Sequence, residues 1–214
     1  MVRFILRLFI LLLVLLVAGM AYALWPRQGD LRGFDPDAVA RLETGMWRDY
    51  YDHDHQGLIK KLYALYRDEY HFSPGDSAQL AYASEKAAQL FQPTDSREKA
   101  QVALPLLVQH YTLLRARSGE TFSAEEAARL ELDWWQRRRE GATSAEYGEV
   151  VAEVSREVFG VDNEHLQRAA LLRAQMMAYR DERRGRMEPE DWKHIEKNLI
   201  ESYRELRTGV TRPR

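Results

Sequence analysis

Carboxylate, imidazole and aromatic side chains are concentrated between residues 40 and 55, where the sequence reads ARLETGMWRDYYDHDH. Carboxylates and imidazoles bind iron, manganese and zinc, and they also serve as general acids and bases. Residues three or four apart share a face of a helix, so Glu43 and Asp54 fall on or beside the apolar stripe that contains Trp47. His55 lies at the edge of that stripe. The segment therefore predicts a polar cluster beside a helical core.

A related pattern begins 88 residues later in the chain. The stretch FDPDAVARLETGMW (34–47) matches FSAEEAARLELDWW (122–135), and this match aligns Glu43 with Glu131. A weaker match connects two of the later helical stretches. Repeats of this kind usually bury a shared core. We therefore expect a compact bundle made of two related three-helix units and a closing helix.

Side chains from these two stretches are candidate metal ligands. Helical bundles hold two iron or manganese ions with inward carboxylates, and each half of such a bundle supplies a Glu and an E-x-x-H pair. The sequence contains no E-x-x-H, so it departs from that pattern. If a di-iron or di-manganese centre is present, the expected ligands are Glu43, Asp54, His55 and Glu131.

A structural polar network is the other explanation for acidic residues on an apolar face. An ionised carboxylate inside a core is costly unless a partner neutralises it. Arginine side chains and tyrosine hydroxyl groups close in sequence are the expected partners of the two glutamates. The predicted network consists of Glu43, Arg48, Tyr50, Tyr51, Glu131 and Arg138.

The composition argues against several other kinds of chemistry. The chain has no cysteine, which excludes disulfides, thiolate catalysis and iron–sulfur clusters. Its 31 basic and 33 acidic residues are interleaved and give a net charge of −2, so no nucleic acid partner is expected. The sequence also lacks a glycine-rich nucleotide loop and a G-x-S-x-G motif. Apart from the alternative metal centre, no cofactor is predicted.

The first 25 residues, MVRFILRLFILLLVLLVAGMAYALW, are strongly apolar. A helix of roughly 20 apolar residues crosses the hydrocarbon core of a bilayer. We expect residues 1–25 to be a single transmembrane anchor, with the domain on the non-cytoplasmic side of a bacterial inner membrane. Ala21 and Ala23 have the small-x-small spacing of a cleavage site, so a cleaved signal peptide and a periplasmic or secreted domain form the alternative. The flanking arginines leave the reverse orientation open.

The remaining sequence predicts an all-α domain. Residues 26–35 are rich in Gly, Pro and charge and are expected to be a linker. Residues 36–208 show helical spacing interrupted by cap signals, and 209–214 is expected to be a flexible tail. The predicted helices are 36–70 with a kink near Gly57, 76–91, 96–117, 124–140, 144–159, 163–183 and 189–207.

No motif in the chain defines a reaction. The leading hypothesis is a non-enzymatic accessory or scaffold domain that docks another membrane or periplasmic protein at the membrane surface. One alternative is a carboxylate-bridged metal enzyme that uses Glu43 and Glu131. Another is a bundle that binds a lipid or other hydrophobic molecule in a cavity beside Trp47 and Trp135.

Overall fold

The computed structural model describes residues 2–25 and 27–211, and it confirms the all-helical fold class. One apolar N-terminal helix is followed by nine further α-helices within these residues. The described ranges contain no strand. The helices are α1 (Val2–Leu24), α2 (Pro36–Tyr51), α3 (His55–Ala64), α4 (Pro74–Phe91), α5 (Arg97–Ala100), α6 (Leu104–Ser118), α7 (Ala124–Arg139), α8 (Ser144–Phe159), α9 (Glu164–Glu182) and α10 (Pro189–Val210), with a π-helical segment at Leu65–Glu69 and a 3-10 turn at Gln101–Ala103.

Helix α1 is long and apolar enough to cross a membrane. Its stretch Phe4–Leu24 has 21 residues and a mean hydropathy of 2.8, and none of it is buried in the rest of the protein. The C-terminal end of α1 meets the first turn of α4, where a Cβ atom on Gly75 would lie only 2.8 Å from the Ala23 carbonyl oxygen. The hydroxyl group of Tyr22 also accepts a hydrogen bond from Arg67 at 3.3 Å. The start of α4 therefore lies beside the end of the apolar helix.

The helix predicted for 36–70 is divided in the structure, and the division falls before Gly57. Helix α2 ends at Tyr51, and His53 takes the left-handed φ of 57° that reverses the chain. The Asp54 carboxylate then caps α3 by accepting a hydrogen bond from the Gly57 amide at 2.9 Å. The D-H-D-H run is thus a turn between two helices, and the prediction of one kinked helix was wrong.

The helix predicted for 96–117 is also divided. Proline lacks an N–H donor, and its ring clashes with the preceding helical turn. Pro105 therefore occupies the first turn of a new helix, α6, which begins at Leu104 after the short 3-10 turn. These two divisions turn seven predicted helices into nine.

Eight of the helices form a closed ring. In chain order α2, α3, α4, α6, α7, α8, α9 and α10 each pack against the next, and α10 packs against α2. Because the connections between successive helices are short, neighbours in the ring run in opposite directions. One end of the ring therefore carries the start of α2 and the end of α10, and the other end carries the turn between α2 and α3.

Residues 27–35 close the first of these ends, and we call them the closing segment. Arg32 lies at its centre and donates hydrogen bonds to Glu120, to the Phe159 carbonyl at 2.6 Å and to the Val210 carbonyl at 2.7 Å. Phe34 is buried beside it and only 3% exposed. The expected linker is therefore a packed part of the domain, whereas Pro26 lies outside the described residues.

The first residues of the expected flexible tail, 209 and 210, belong to a helix in the structure. Helix α10 continues to Val210, and Gly209 and Val210 are both buried. A Cβ atom on Gly209 would meet the Asn163 side chain at 2.8 Å, so this position allows a close approach to the start of α9. Residues 212–214 lie outside the described residues.

Candidate functional site

The ring surrounds a cavity of about 390 Å³ that is partly open to the outside. Seven of the eight ring helices contribute side chains to its wall, as do the closing segment and the π-helical segment. Most of the wall is apolar or aromatic. The aromatic residues that line it are Trp47, Tyr50, Tyr51, Tyr66, Tyr70, Phe91, Tyr111, Trp134, Trp135, Tyr147 and Phe159.

The π-helical segment shapes one side of this wall. Its wider turns begin at Leu65, and Leu65, Tyr66 and the following Tyr70 all line the cavity. The rings of Tyr66 and Tyr70 lie 6.2 Å apart. Interruptions of this kind in α-helices are frequent at functional sites. Here the interruption places two tyrosines on the cavity wall.

Glu43 lies at the centre of a buried polar cluster. Its Oε1 atom accepts hydrogen bonds from Arg173 Nε at 2.7 Å, from Arg173 Nη2 and from Trp47 Nε1 at 3.1 Å. Its Oε2 atom accepts a hydrogen bond from the Tyr203 hydroxyl at 2.5 Å. Glu43 itself is only 6% exposed. This carboxylate is thus paired with an arginine, and both of its oxygen atoms accept hydrogen bonds.

Arg173 connects this cluster to the aromatic wall. Its guanidinium carbon lies 4.1 Å from the centre of the Trp134 ring and 5.7 Å from that of Trp47. Its Nη1 atom is buried and has no hydrogen-bond partner in the part of the chain that the structure describes. A guanidinium group has five N–H donors in a rigid plane, so the two on Nη1 point away from the edge that holds Glu43.

Glu131 lies on the same cavity wall but in a different environment. Its Oε2 atom accepts a hydrogen bond from the Tyr111 hydroxyl at 2.5 Å. Burial raises the pKa of the Glu131 carboxyl, and the Tyr111 hydrogen bond and the positive charge of Arg173 only partly oppose this. Burial and the neighbouring Glu131 raise the pKa of Tyr111 well above its ordinary value. The two aligned glutamates therefore differ, since one is ion-paired and the other has a carboxyl pKa that burial raises.

A third polar group on the wall is a chain of hydrogen bonds from the π-helical segment through α4 to α6. The Tyr66 hydroxyl lies 3.2 Å from Ser84 Oγ, which in turn lies 3.0 Å from His110 Nδ1. Burial lowers the pKa of His110 to about 4, so its ring is neutral at ordinary pH. His110 is therefore a hydrogen-bonded wall residue without charge.

The structure does not bring the four candidate metal ligands together. Glu43 and Glu131 line the cavity, but Asp54 caps α3 and is exposed. The Nδ1 atom of His55 lies 2.9 Å from Glu85. Within residues 2–25 and 27–211, no three Asp, Glu or His side chains lie close enough together to hold a metal ion. A di-iron or di-manganese centre therefore stays a prediction that this geometry does not favour.

Five of the six residues predicted for the polar network do line the cavity, namely Glu43, Tyr50, Tyr51, Glu131 and Arg138. Arg48 is the exception, because it is exposed and lies 5.1 Å from the Trp192 ring. It follows Trp47 directly, and a step of one residue rotates a side chain by about 100° around the helix. The expected contact of Arg48 with the buried network is therefore corrected to a surface contact with α10.

Arg138 also has a different partner from the one expected. Its Nε and Nη2 atoms donate hydrogen bonds to the two carboxylate oxygens of Asp181 at 3.0 and 2.6 Å. Its guanidinium carbon lies 5.2 Å from the centre of the Tyr51 ring, whose phenol pKa is raised by burial. The ion-pair partner of Arg138 is thus an aspartate of α9, which it shares with Arg180, and not a glutamate in the cavity.

Sequence reasoning missed the residues that hold the two glutamates. Arg173 lies four residues from both Ala169 and Met177, which are buried, so its position on the inner face of α9 was present in the spacing. Tyr203 likewise lies four residues after the buried Leu199. The sequence spacing favours arginines close to Glu43 as its partners, whereas Arg173 is 130 residues away.

The ring and its wall define an all-helical protein with one apolar N-terminal helix and an internal site lined by aromatic groups. Comparison with protein-family models, curated proteins and solved structures finds no match to this chain. Its function is therefore inferred from the cavity and the residues around it.

Proposed function

We propose that the protein is a membrane-tethered domain that binds an apolar small molecule inside the helix ring. The observation that carries this proposal is the cavity of about 390 Å³ with its predominantly aromatic and aliphatic wall. Sites for small molecules are typically concave, mostly apolar and roughly 300–1,000 Å³ in volume, with a few polar groups that orient the ligand. Glu43, Glu131 and Arg173 provide such groups here.

The size of the cavity also supports this proposal. Protein interiors are close-packed, and voids larger than a water molecule are few. A space of about 390 Å³ is many times larger, and an apolar ligand would supply packing contacts to the side chains on its wall.

The position of α1 supports a location at a membrane. We propose that Phe4–Leu24 anchors the chain in a bacterial inner membrane with the domain on the non-cytoplasmic side. A bilayer is an abundant source of apolar molecules, and the end of α1 contacts the domain directly beside Gly75. A cleaved signal peptide is the alternative for this segment.

The other hypotheses stay predictions with less support. A domain that passes its ligand to another protein would also dock a membrane or periplasmic partner, so the docking hypothesis is compatible with this proposal. The two-unit repeat would explain why Glu43 and Glu131 lie on one cavity wall. However, Trp47 donates to Glu43 whereas the aligned Trp135 packs against Phe91, so the two halves differ in detail.

Quenching of tryptophan fluorescence tests the proposal, because three of the five tryptophans line the cavity. The full chain is placed in lipid nanodiscs and titrated with bromododecane, whose bromine quenches tryptophan on contact. Ala88→Phe fills part of the cavity and should abolish the saturable component of quenching. Ala78→Phe on the exposed face of the same helix is the matched control and should retain it.

Absence of a saturable component in the quenching would overturn the proposal. Bromododecane partitions into lipid and quenches Trp25 at the end of the apolar helix in every variant, so this background is common to all samples. If the wild type, Ala88→Phe and Ala78→Phe show the same unsaturable quenching, the cavity binds no apolar molecule.

A further inference from the structure

Three arginines lie at one end of the cavity, beside the adjacent tyrosines Tyr50 and Tyr51. Arg138 lines the cavity wall together with both tyrosines. The guanidinium carbon of Arg180 lies 3.1 Å from the centre of the Tyr51 ring. Burial raises the pKa of Tyr50, and the positive charges of Arg138, Arg139 and Arg180 oppose this rise. The three positive charges therefore act on the same part of the wall.

Carboxylates balance only part of this charge. Asp181 accepts hydrogen bonds from Arg138 at 3.0 and 2.6 Å and from Arg180 at 3.1 Å, so two arginines share one acid. Arg139 donates instead to a neutral hydroxyl and to a backbone carbonyl, at 2.8 and 3.1 Å. The shared aspartate therefore leaves one positive charge unbalanced, and Arg139 adds to the positive field.

Other acids in this region do not change that balance. Asp95 and Glu140, which lie near Arg139, are each ion-paired with another basic residue. Asp52 and Glu182 are exposed, so water and salt screen their charges. An excess of positive charge therefore remains at this end of the cavity.

Arg138 is accessible to a ligand. Its side chain is 24% exposed and that of Asp181 is 39% exposed, so the pair lies where the cavity wall meets the protein surface. Asp181 takes Nε and Nη2 of Arg138, and Nη1 remains for another acceptor. The Tyr51 hydroxyl donates to the Met177 sulfur at 3.5 Å, which is a weak acceptor, so it is a second donor for a ligand.

An apolar cavity with positive charge at one end suits an amphiphile with an anionic head group, because charge-assisted hydrogen bonds to arginine are strong. One carboxylate matches the one positive charge left when Arg138 and Arg180 share Asp181. Glu131 lies two turns before Arg138 on α7, about 10 Å along the helix axis, so the two carboxyl groups would be well separated. We propose that the ligand is a single-chain amphiphile whose carboxylate head group binds Arg138 and whose apolar chain lies in the cavity. This inference rests on the proposed function, since it concerns the ligand of the same cavity.

Competition between a charged and an uncharged ligand of equal chain length tests this proposal. The full chain in nanodiscs is loaded with bromododecane, and recovery of tryptophan fluorescence is followed as dodecanoate or methyl dodecanoate is added at alkaline pH. The midpoint concentration of the ester divided by that of dodecanoate measures the preference for the charged head group. Because this ratio is compared between protein variants in identical lipid, the partitioning of each competitor cancels.

Three variants separate the role of Arg138 from that of general positive charge. Arg138→Gln removes the head-group donor but leaves Asp181 paired with Arg180, so the ratio should fall about tenfold. Arg137→Gln removes the same charge from an exposed neighbour on α7 and should keep the wild-type ratio. Asp181→Asn removes the competing carboxylate, so the ratio should rise. The thermal unfolding temperature of each variant shows whether it is folded.

A measurement on the wild type alone keeps the proposal testable if Arg138→Gln does not fold. The carboxyl pKa of isotope-labelled dodecanoate, followed by NMR, should be lower with the protein than in empty nanodiscs, because a nearby positive charge favours the ionised form. An unchanged or higher pKa, or one ratio shared by the wild type, Arg138→Gln and Asp181→Asn, would overturn the inference and leave the proposed function standing. If bromododecane itself shows no saturable quenching, the proposed function fails and this inference fails with it.

Discussion

Arg173 on α9 reaches Glu43 on α2 at 2.7 Å, although α10 lies between these two helices in the order of the ring. The pair is separated by 130 residues in sequence and lies on the cavity wall. Its position shows that the polar groups of the site connect helices across the ring, in addition to the packing between neighbours.

Removal of the Glu43 carboxylate should destabilise the protein strongly. Glu43→Ala leaves the buried Arg173 without its counter-ion, and loss of one partner of a buried pair costs about 3–5 kcal/mol. Urea unfolding of the variant measures this change. Glu201→Ala removes an exposed partner of Arg204 and should cost less than about 1 kcal/mol. Similar values for both variants would contradict the assigned role of Glu43.

Glu131 should make the folded state less stable as the pH rises. Burial raises the pKa of its carboxyl, so the folded state holds a proton that the unfolded state releases above its ordinary pKa of 4.5. Stability is therefore lost as the pH rises from that value through the folded pKa. Glu131→Gln should remove this loss, so the variant should gain stability relative to the wild type with increasing pH. Unfolding free energies measured across this range test the sign.

His110 should make the folded state less stable as the pH falls. Burial lowers its pKa from 6.5 to about 4, so the unfolded state binds a proton first as the pH falls. Between about pH 7 and about pH 5 this difference should cost about 2 kcal/mol of stability. His110→Gln should remove that part of the pH dependence, whereas His53→Asn at an exposed turn should not. Parallel pH profiles of all three proteins would refute the prediction.

Arg32 should hold the closing segment in place. Arg32→Ala removes hydrogen bonds to Glu120 and to the Phe159 and Val210 carbonyls, and we expect a loss of about 3 kcal/mol. Hydrogen exchange of residues 27–35 should accelerate in this variant. Arg129→Ala, which breaks an exposed pair with Glu126, should leave that exchange unchanged.

Experiments in cells can measure whether the N-terminal helix is cleaved and on which side of the membrane the domain lies. When a Gram-negative bacterium produces the full chain with a C-terminal tag, we expect it in the membrane fraction after alkaline extraction. Protease added to spheroplasts should digest the domain, because the proposed orientation places it outside the cytoplasm. A shortened, soluble product would show that the segment before Ala23 is a cleaved signal. A protected domain would show the reverse orientation.

Local signals in the sequence predicted most helix ends. Ser73 before Pro74, Thr143 before α8 and Asn163 before α9 each accept a hydrogen bond from the first turn of the helix that follows. Such caps depend only on residues within one turn, so they are visible in sequence. The turn at His53 was missed because helical spacing continues across it and the apolar stripe gives no sign of a break.

The burial of Glu43 was predictable and its partner was not. Spacing alone places Glu43 beside Trp47, but the partner depends on which helix lies opposite once the ring has closed. Arginines close in sequence were therefore preferred to Arg173. A cavity beside Trp47 and Trp135 was one of the alternatives from the sequence, and both residues line the cavity in the structure. Its volume was not predictable, because it results from the number of helices in the ring and from side chains that do not meet at its centre.

Ring closure also has a consequence for the order of folding. The hydrogen bond between Glu43 and Tyr203 joins residues that are 160 positions apart, and α10 is synthesised after the other seven helices of the ring. Contacts of such long range form slowly, and until they form the aromatic inner faces remain exposed. Helix α1 precedes the ring in the chain, so the proposed membrane anchor would hold these faces next to a bilayer while the ring assembles. Loss of α10 should therefore remove the cavity as a whole, because the ring would then be an open layer of helices.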